Sequence, residues 1–85
     1  MTQEITNNLR LEHTTYPECF ETVVWYKGQR VMKYFHSYRQ DDSRNYSLLN
    51  PDGSIKYWYD EKGMRHSNIS KEEYYRRLKE YENMN

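Results

Sequence analysis

The chain has 85 residues, with 13 Lys and Arg against 13 Asp and Glu, so it is one small domain of zero formal net charge. That length excludes a second domain, and that balance excludes attraction to polyanions by net charge alone. Only 35% of residues are apolar, and ten of those are Tyr, so an aliphatic core with spare area is excluded as well.

The chain has no alanine and only eleven Val, Leu and Ile. The flat bodies of its ten Tyr, two Trp and two Phe must therefore serve as core while their polar tips stay wet. Fourteen rings exceed what one small core can bury, so some are expected at the surface. A single cysteine, Cys19, rules out an internal disulfide and fits a reducing compartment. The polar start Met1-Thr2-Gln3-Glu4 carries no secretion signal, and no apolar run is long enough to span a bilayer. A cytoplasmic protein without a membrane partner is expected.

In chain order, residues 1–20 read as an N-terminal arm. Leu9-Arg10-Leu11-Glu12-His13 alternates like a short strand, and Tyr16-Pro17 marks a turn. Residues 21–26 and 30–37 are rich in β-branched and aromatic types and form a hairpin around Lys27-Gly28-Gln29. Residues 38–44 are polar and read as a loop. A third strand covers 46–49, and Asn50-Pro51-Asp52-Gly53 is a turn, with Pro presetting φ and Gly closing it. Residues 55–59 make a fourth strand, and Met64-Arg65-His66 a short fifth after the turn at 60–63. Ser70-Lys71-Glu72-Glu73 is a capping box that opens a helix over 70–83, with Ile69 and Tyr74 as a hydrophobic staple. Tyr74, Leu78 and Tyr81 share one helical face, which should dock on the sheet. The fold class is α+β: an antiparallel β-meander of four to five short strands, at 21–67, with a C-terminal helix packed on it.

For catalysis the candidates are His13, Cys19, His36 and His66. They lack a nucleophile elbow, a fixed spacing and an orienting acid, and no Cys or His cluster has metal-ligand spacing. A metal-free ribonuclease using His36 or His66 as base ranks last, because one His is weak evidence. No catalytic residue, metal or cofactor is expected, and Cys19 reads as a core filler.

Binding is better supported. Net charge is −3 over residues 1–21, +4 over 22–39, −2 over 40–53, +1 over 54–69 and zero over the last sixteen. A polyanion responds to the local field, so the acid-free stretch 22–39 matters more than the sum. There and at 56–59, rings alternate with cations, the combination that holds single-stranded RNA: bases stack on rings while Lys and Arg track phosphates. The candidate RNA-binding residues are Lys27, Arg30, Lys33, Tyr34, Arg39, Lys56, Trp58 and Arg65, with Trp25 as a further stacking ring. Strand alternation puts Lys33 on one face with Val31 and Phe35, and Lys56 with Trp58. The same Tyr, Trp, Met and Arg enrichment suits a protein interface, including a homodimer. For any single ring, a place in the core is the more common reading.

Two resemblances add to this. Asp52-Gly53, Trp58-Tyr59, Gly63 and His66 resemble the "DG…WY…G…H" hairpin repeats of small phage proteins. Ser67-Asn68-Ile69-Ser70 departs from the acidic Gly-Pro turn that continues such repeats, so a shared hairpin is implied and a repeat array is not. In size and in aromatic–basic character, chiefly at 27–33 and 56–58, the chain resembles the TifA family, small T-even phage inhibitors of the ToxN endoribonuclease toxin. That resemblance implies an RNA-binding counter-defence protein in the host cytoplasm, whose partners are RNA and the toxin. The alternative is a protein-only interaction module without nucleic-acid binding.

Overall fold

Leu9, Leu11 and His13 alternate with Arg10, Glu12 and Thr14, and this alternation makes a strand with one dry face and one wet face. The computed structural model, which describes residues 1–39 and 42–84, builds that strand fully into the sheet. β1 (Thr2–Glu4), β2 (Leu9–Thr15), β3 (Cys19–Tyr26), β4 (Gln29–Ser37) and β5 (Arg44–Leu48) form an antiparallel meander in the order β1-β2-β3-β4-β5. The segment read as an arm thus supplies two strands and the start of a third. Backbone pairing with β3 from Leu9↔Tyr26 to Thr15↔Phe20 holds it. The Tyr16-Pro17 turn falls between β2 and β3, closed by the Tyr16 amide donating to the Cys19 carbonyl at 2.8 Å.

β3 and β4 are joined by only two residues, Lys27 (φ 51) and Gly28 (φ 79). Two left-handed residues in a row match the twist of the strands they connect. Gln29 belongs to β4, so the connection is tighter than the three-residue loop expected. The register then slips between Val24↔Met32 and Trp25↔Arg30, leaving Val31 as an extra, bulged residue. Of the polar loop expected at 38–44, Gln40 and Asp41 lie outside the described residues.

The fourth and fifth strands expected at 55–59 and 64–66 do not join the meander. They shrink to β6 (Trp58–Tyr59) and β7 (Arg65–His66), a separate ribbon. The connection beyond β5 wraps that edge instead, through single bridges Leu49↔Ile55 and Tyr46↔Ile69. The free polar edge of β5 is partly covered in this way.

The helix α1 (Lys71–Asn83) starts as expected: Ser70 Oγ accepts from the Glu73 amide at 3.0 Å. The Glu73 carboxylate does not close the capping box. It turns to Arg76 and Arg77, with bonds of 2.6 Å to each. Ile69 and Tyr74 meet in the core as the staple requires. Leu9, Val24 and Met32 are fully enclosed between sheet and helix, each stabilising the fold by roughly 1.5–3 kcal/mol. Rings complete that core: Tyr34–Tyr46, Tyr46–Tyr74 and Tyr26–Tyr81 centroids lie 4.8, 4.9 and 4.7 Å apart. No helix among the described residues is long and apolar enough to cross a membrane.

Candidate nucleic-acid interface

Register sorts the side chains. Residues opposite one another in an antiparallel pair share a face. Leu11, Val24, Met32 and Leu48 form one such row, and His13, Thr22, Tyr34 and Tyr46 another, both on the helix side. The opposite face carries Arg10, Glu12, Val23, Trp25, Arg30 and Lys33. Simple alternation along β4 would put Arg30 and Lys33 on opposite faces, with Val31 beside Lys33. The bulge reverses this: Arg30 joins Trp25 and Lys33 on the open face, and Val31 packs against the core.

The result is a layered group centred on Trp25. The Arg10 guanidinium carbon lies 4.6 Å from the ring centroid and that of Arg30 lies 4.7 Å away, one from each neighbouring strand. Each contact contributes about 0.5–1 kcal/mol at an exposed site. The indole Nε1–H donates to Glu12 Oε1 at 3.3 Å, and Arg30 Nη1 donates to the Pro51 carbonyl at 3.1 Å. Gly53, at φ 93, takes a backbone conformation that L side chains rarely adopt, and so closes the 50–53 turn beside Arg30. Beside the ring, a cleft of about 470 Å³ is lined by Glu4, Asn7, Arg10, Trp25 and Lys27, among others. With cations on both flanks of the indole, an incoming base meets a guanidinium plane first, and such planes stack bases as rings do.

The eight residues singled out in the sequence do not form one platform. Arg30 and Lys33 share the open face with Trp25, and Lys27 stands exposed at the turn below it, 5.5 Å from the Tyr26 centroid. Lys33 lies 4.0 Å from Glu21. Arg39, at the far end of the hairpin, is clamped by Glu18, with Nε at 2.9 Å. Tyr34 turns to the helix side and packs with Tyr46 and Tyr74, where burial raises its hydroxyl pKa. Trp58 faces the core, donates to the Asn68 carbonyl at 2.8 Å and stacks on His66 at 4.4 Å. Lys56 is exposed, and alternation would pair it with Trp58, yet residues 55–57 run outside any strand. Arg65 lies on the outer side of the ribbon, over Tyr57 at 4.5 Å.

Tertiary pairing also reshapes the charge. The acid-free stretch 22–39 is met by carboxylates of other segments: Glu18 at Arg39, Glu21 at Lys33 and Glu12 at Trp25. Among the described residues, Arg10, Lys27, Arg30, Lys56 and Arg65 have no carboxylate within 4 Å. Arg10 and Glu12 are functional candidates that the sequence reading passed over. Leu9-Arg10-Leu11-Glu12 already had the alternation of a half-buried strand, which places both charged residues on its wet face; only the register with Trp25 was unreadable.

The histidines sit in local pairs. His36 Nε2 lies 2.6 Å from Asp42 Oδ1, and His66 Nε2 lies 2.8 Å from Asp60 Oδ2. Both carboxyls are held below their ordinary range, first by the hydrogen bond to the imidazole. His13 meets Thr22 and Gln3 instead. Cys19 is a half-buried free thiol. Among the described residues no group of three His, Cys, Asp or Glu is placed to hold a metal ion. The fold and surface thus describe a small α+β domain with a cation–aromatic sheet face. No family model, curated protein or solved structure matches the chain.

Proposed function

We propose that this domain binds single-stranded RNA on its open sheet face and, in phage counter-defence, uses the bound RNA to block an endoribonuclease toxin. The observation that carries the RNA reading is the Arg10–Trp25–Arg30 stack, with the exposed Lys27 beside it. It supplies planar groups for bases and cations for phosphates at one end of the sheet. The toxin rests on the aromatic–basic resemblance alone. A protein-only interaction module is the second reading. It draws support from Glu4, Glu12 and Glu21, carboxylates interleaved with the cations on the same face.

The test is affinity for a short unstructured RNA between about 50 and 200 mM salt. Removing one cation that neutralises a phosphate lowers the slope of log K against log salt by about 0.7. Lys27→Ala is expected to flatten the slope by that amount. Salt-independent binding, or none, together with a nucleic-acid-free ultraviolet spectrum of freshly purified protein, sinks the RNA reading and favours the protein-only module. The toxin step is checked by adding the domain to a toxin cleavage assay with and without prior ribonuclease treatment. Inhibition that survives the treatment removes RNA from the mechanism.

A further inference from the structure

At the β5 edge, between the end of the stack and the helix, lies a second pocket of about 210 Å³. Three separate segments converge there: β4 through Gln29 and Arg30, the connection after β5 through Pro51 and Lys56, and α1 through Arg77 and Tyr81. Its apolar walls are Val31, Leu48 and Leu49. Three cationic residues line this one small space with no acidic residue in the lining; Glu73, beside it, pairs with Arg77. Like charges held together over a low-dielectric wall raise the local potential and favour an anion between them.

The cations are also pre-oriented. Arg30 is fixed by the Pro51 carbonyl and the Trp25 ring. Arg77 is held at Nε by Glu73, at 2.6 Å, which leaves its terminal nitrogens without a protein hydrogen bond among the described residues. Fixed guanidinium forks lose little entropy on meeting an oxyanion, while the flexible Lys56 adjusts to it. Gln29 and the Tyr81 hydroxyl add neutral donors. The last turn of α1 opposes an anion weakly through its carbonyl ends, and three cations outweigh that. A carboxylate offers two oxygens to this donor set; a phosphate offers more, spread tetrahedrally, and engages all three segments at once.

We infer that the pocket formed by Gln29, Arg30, Lys56, Arg77 and Tyr81 is a binding site for a phosphate group. The inference goes beyond base stacking on the sheet face and rests on the RNA reading only for the source of the phosphate. The phosphate comes from a nucleic-acid terminus or from an internal phosphodiester, which share this chemistry.

The experiment is an NMR titration of the 15N-labelled full chain with inorganic phosphate, against sodium chloride at equal ionic strength. Phosphate is expected to shift the Gln29 side-chain amide and the Arg30 and Arg77 Nε–H signals saturably, and chloride is not. Lys56→Ala, at an exposed position outside the core, is expected to weaken phosphate binding about fivefold. Arg10→Gln, at a residue of the stack that does not line this pocket, leaves the Gln29, Arg30 and Arg77 shifts in place, so failure of the stacking site is told apart from failure of this one. Two arms then separate the sources. A Lys56-dependent gain in affinity on adding a 5′-phosphate to a short oligonucleotide assigns the terminus. Equal, Lys56-dependent affinity with and without it assigns the internal phosphodiester. Shifts no larger than chloride gives, or binding unchanged in Lys56→Ala, overturn the site.

Discussion

Replacing Trp25 by Leu separates stacking from charge at the proposed RNA face. The change removes the ring that Arg10 and Arg30 flank at 4.6 and 4.7 Å, and its 3.3 Å hydrogen bond to Glu12, while every charge stays. Two exposed cation–π contacts and one partly exposed hydrogen bond together cost roughly 1.5–3.5 kcal/mol of folding stability. In a domain of this size that lowers Tm by about 6–28 °C, so the variant is assayed at low temperature. RNA binding loses the ring that holds the two guanidinium planes in stacking position, and a lost stack is worth about 1–3 kcal/mol, which is roughly a 5- to 150-fold rise in Kd. The assay is fluorescence anisotropy of a labelled single-stranded RNA at several salt concentrations. Trp25→Leu should raise Kd at every salt and leave the salt slope unchanged. The double variant Arg10→Gln/Arg30→Gln should instead flatten the slope by about 1.4. Affinity within about twofold of the parent for Trp25→Leu, or a slope change as large as that of the arginine pair, refutes the assignment of stacking to the Arg10–Trp25–Arg30 group.

Other parts of the structure give further expectations. Lys27 holds φ 51 in the two-residue turn, so Lys27→Asn should stabilise the domain by about 0.5–1 kcal/mol, read as a higher urea midpoint at unchanged m. Met32 is fully buried, and Met32→Ala should cost about 2–5 kcal/mol, a large part of the total for so small a domain. Asp60 is held below its ordinary pKa of 3.8, first by its hydrogen bond to His66 and then by the Met64 amide. A depressed folded-state carboxyl contributes stability above its unfolded pKa, and that contribution fades as pH falls through the folded value. Trp58 fluorescence should therefore report loosening of the ribbon below about pH 4, and Asp60→Asn should remove that acid step. Tyr74 is buried, and desolvation raises its hydroxyl pKa far above the ordinary 10.0. Its contribution is complete below that ordinary value and is lost as pH rises towards the folded one. Alkaline unfolding, followed by tyrosinate absorbance, should move to higher pH in Tyr74→Phe.

Local signals made α1 and the central hairpin legible. Ser70 as cap, Ile69 and Tyr74 as staple, and Tyr74, Leu78 and Tyr81 on one face are short-range features, and each recurs in the fold. Residues 1–20 were harder to read, because β1 has only three exposed residues and takes its structure from pairing with β2. The 55–59 run had strand composition, yet most of it wraps the β5 edge, held by a local bridge at Leu49↔Ile55 while the long-range bridge to β5 comes from Ile69. Half of the candidate site was legible by the same logic. The cations of the hairpin were visible, while the groups that meet them come from distant parts of the chain. Glu12 lies 13 residues from Trp25, and Glu18 lies 21 from Arg39.

The sequence by itself determined an α+β meander with a capped helix, a core in which tyrosine rings supplement a short aliphatic set, and a hairpin rich in rings and cations. Those follow from composition, periodicity and capping, which act over a few residues. Tertiary structure decided which rings face outward and which cations meet a carboxylate. Tyr34 went to the core because the helix covers its side of the sheet, and Trp58 because the separate ribbon packs against the same cluster. Lys33 and Arg39 gained carboxylates from β3 and from the turn before it. Arg30 reached the ring of Trp25 because one bulged residue, Val31, reversed the alternation of β4. A strand's side-chain period is two, so a single extra residue exchanges its faces, and only pairing with β3 reveals where that residue sits.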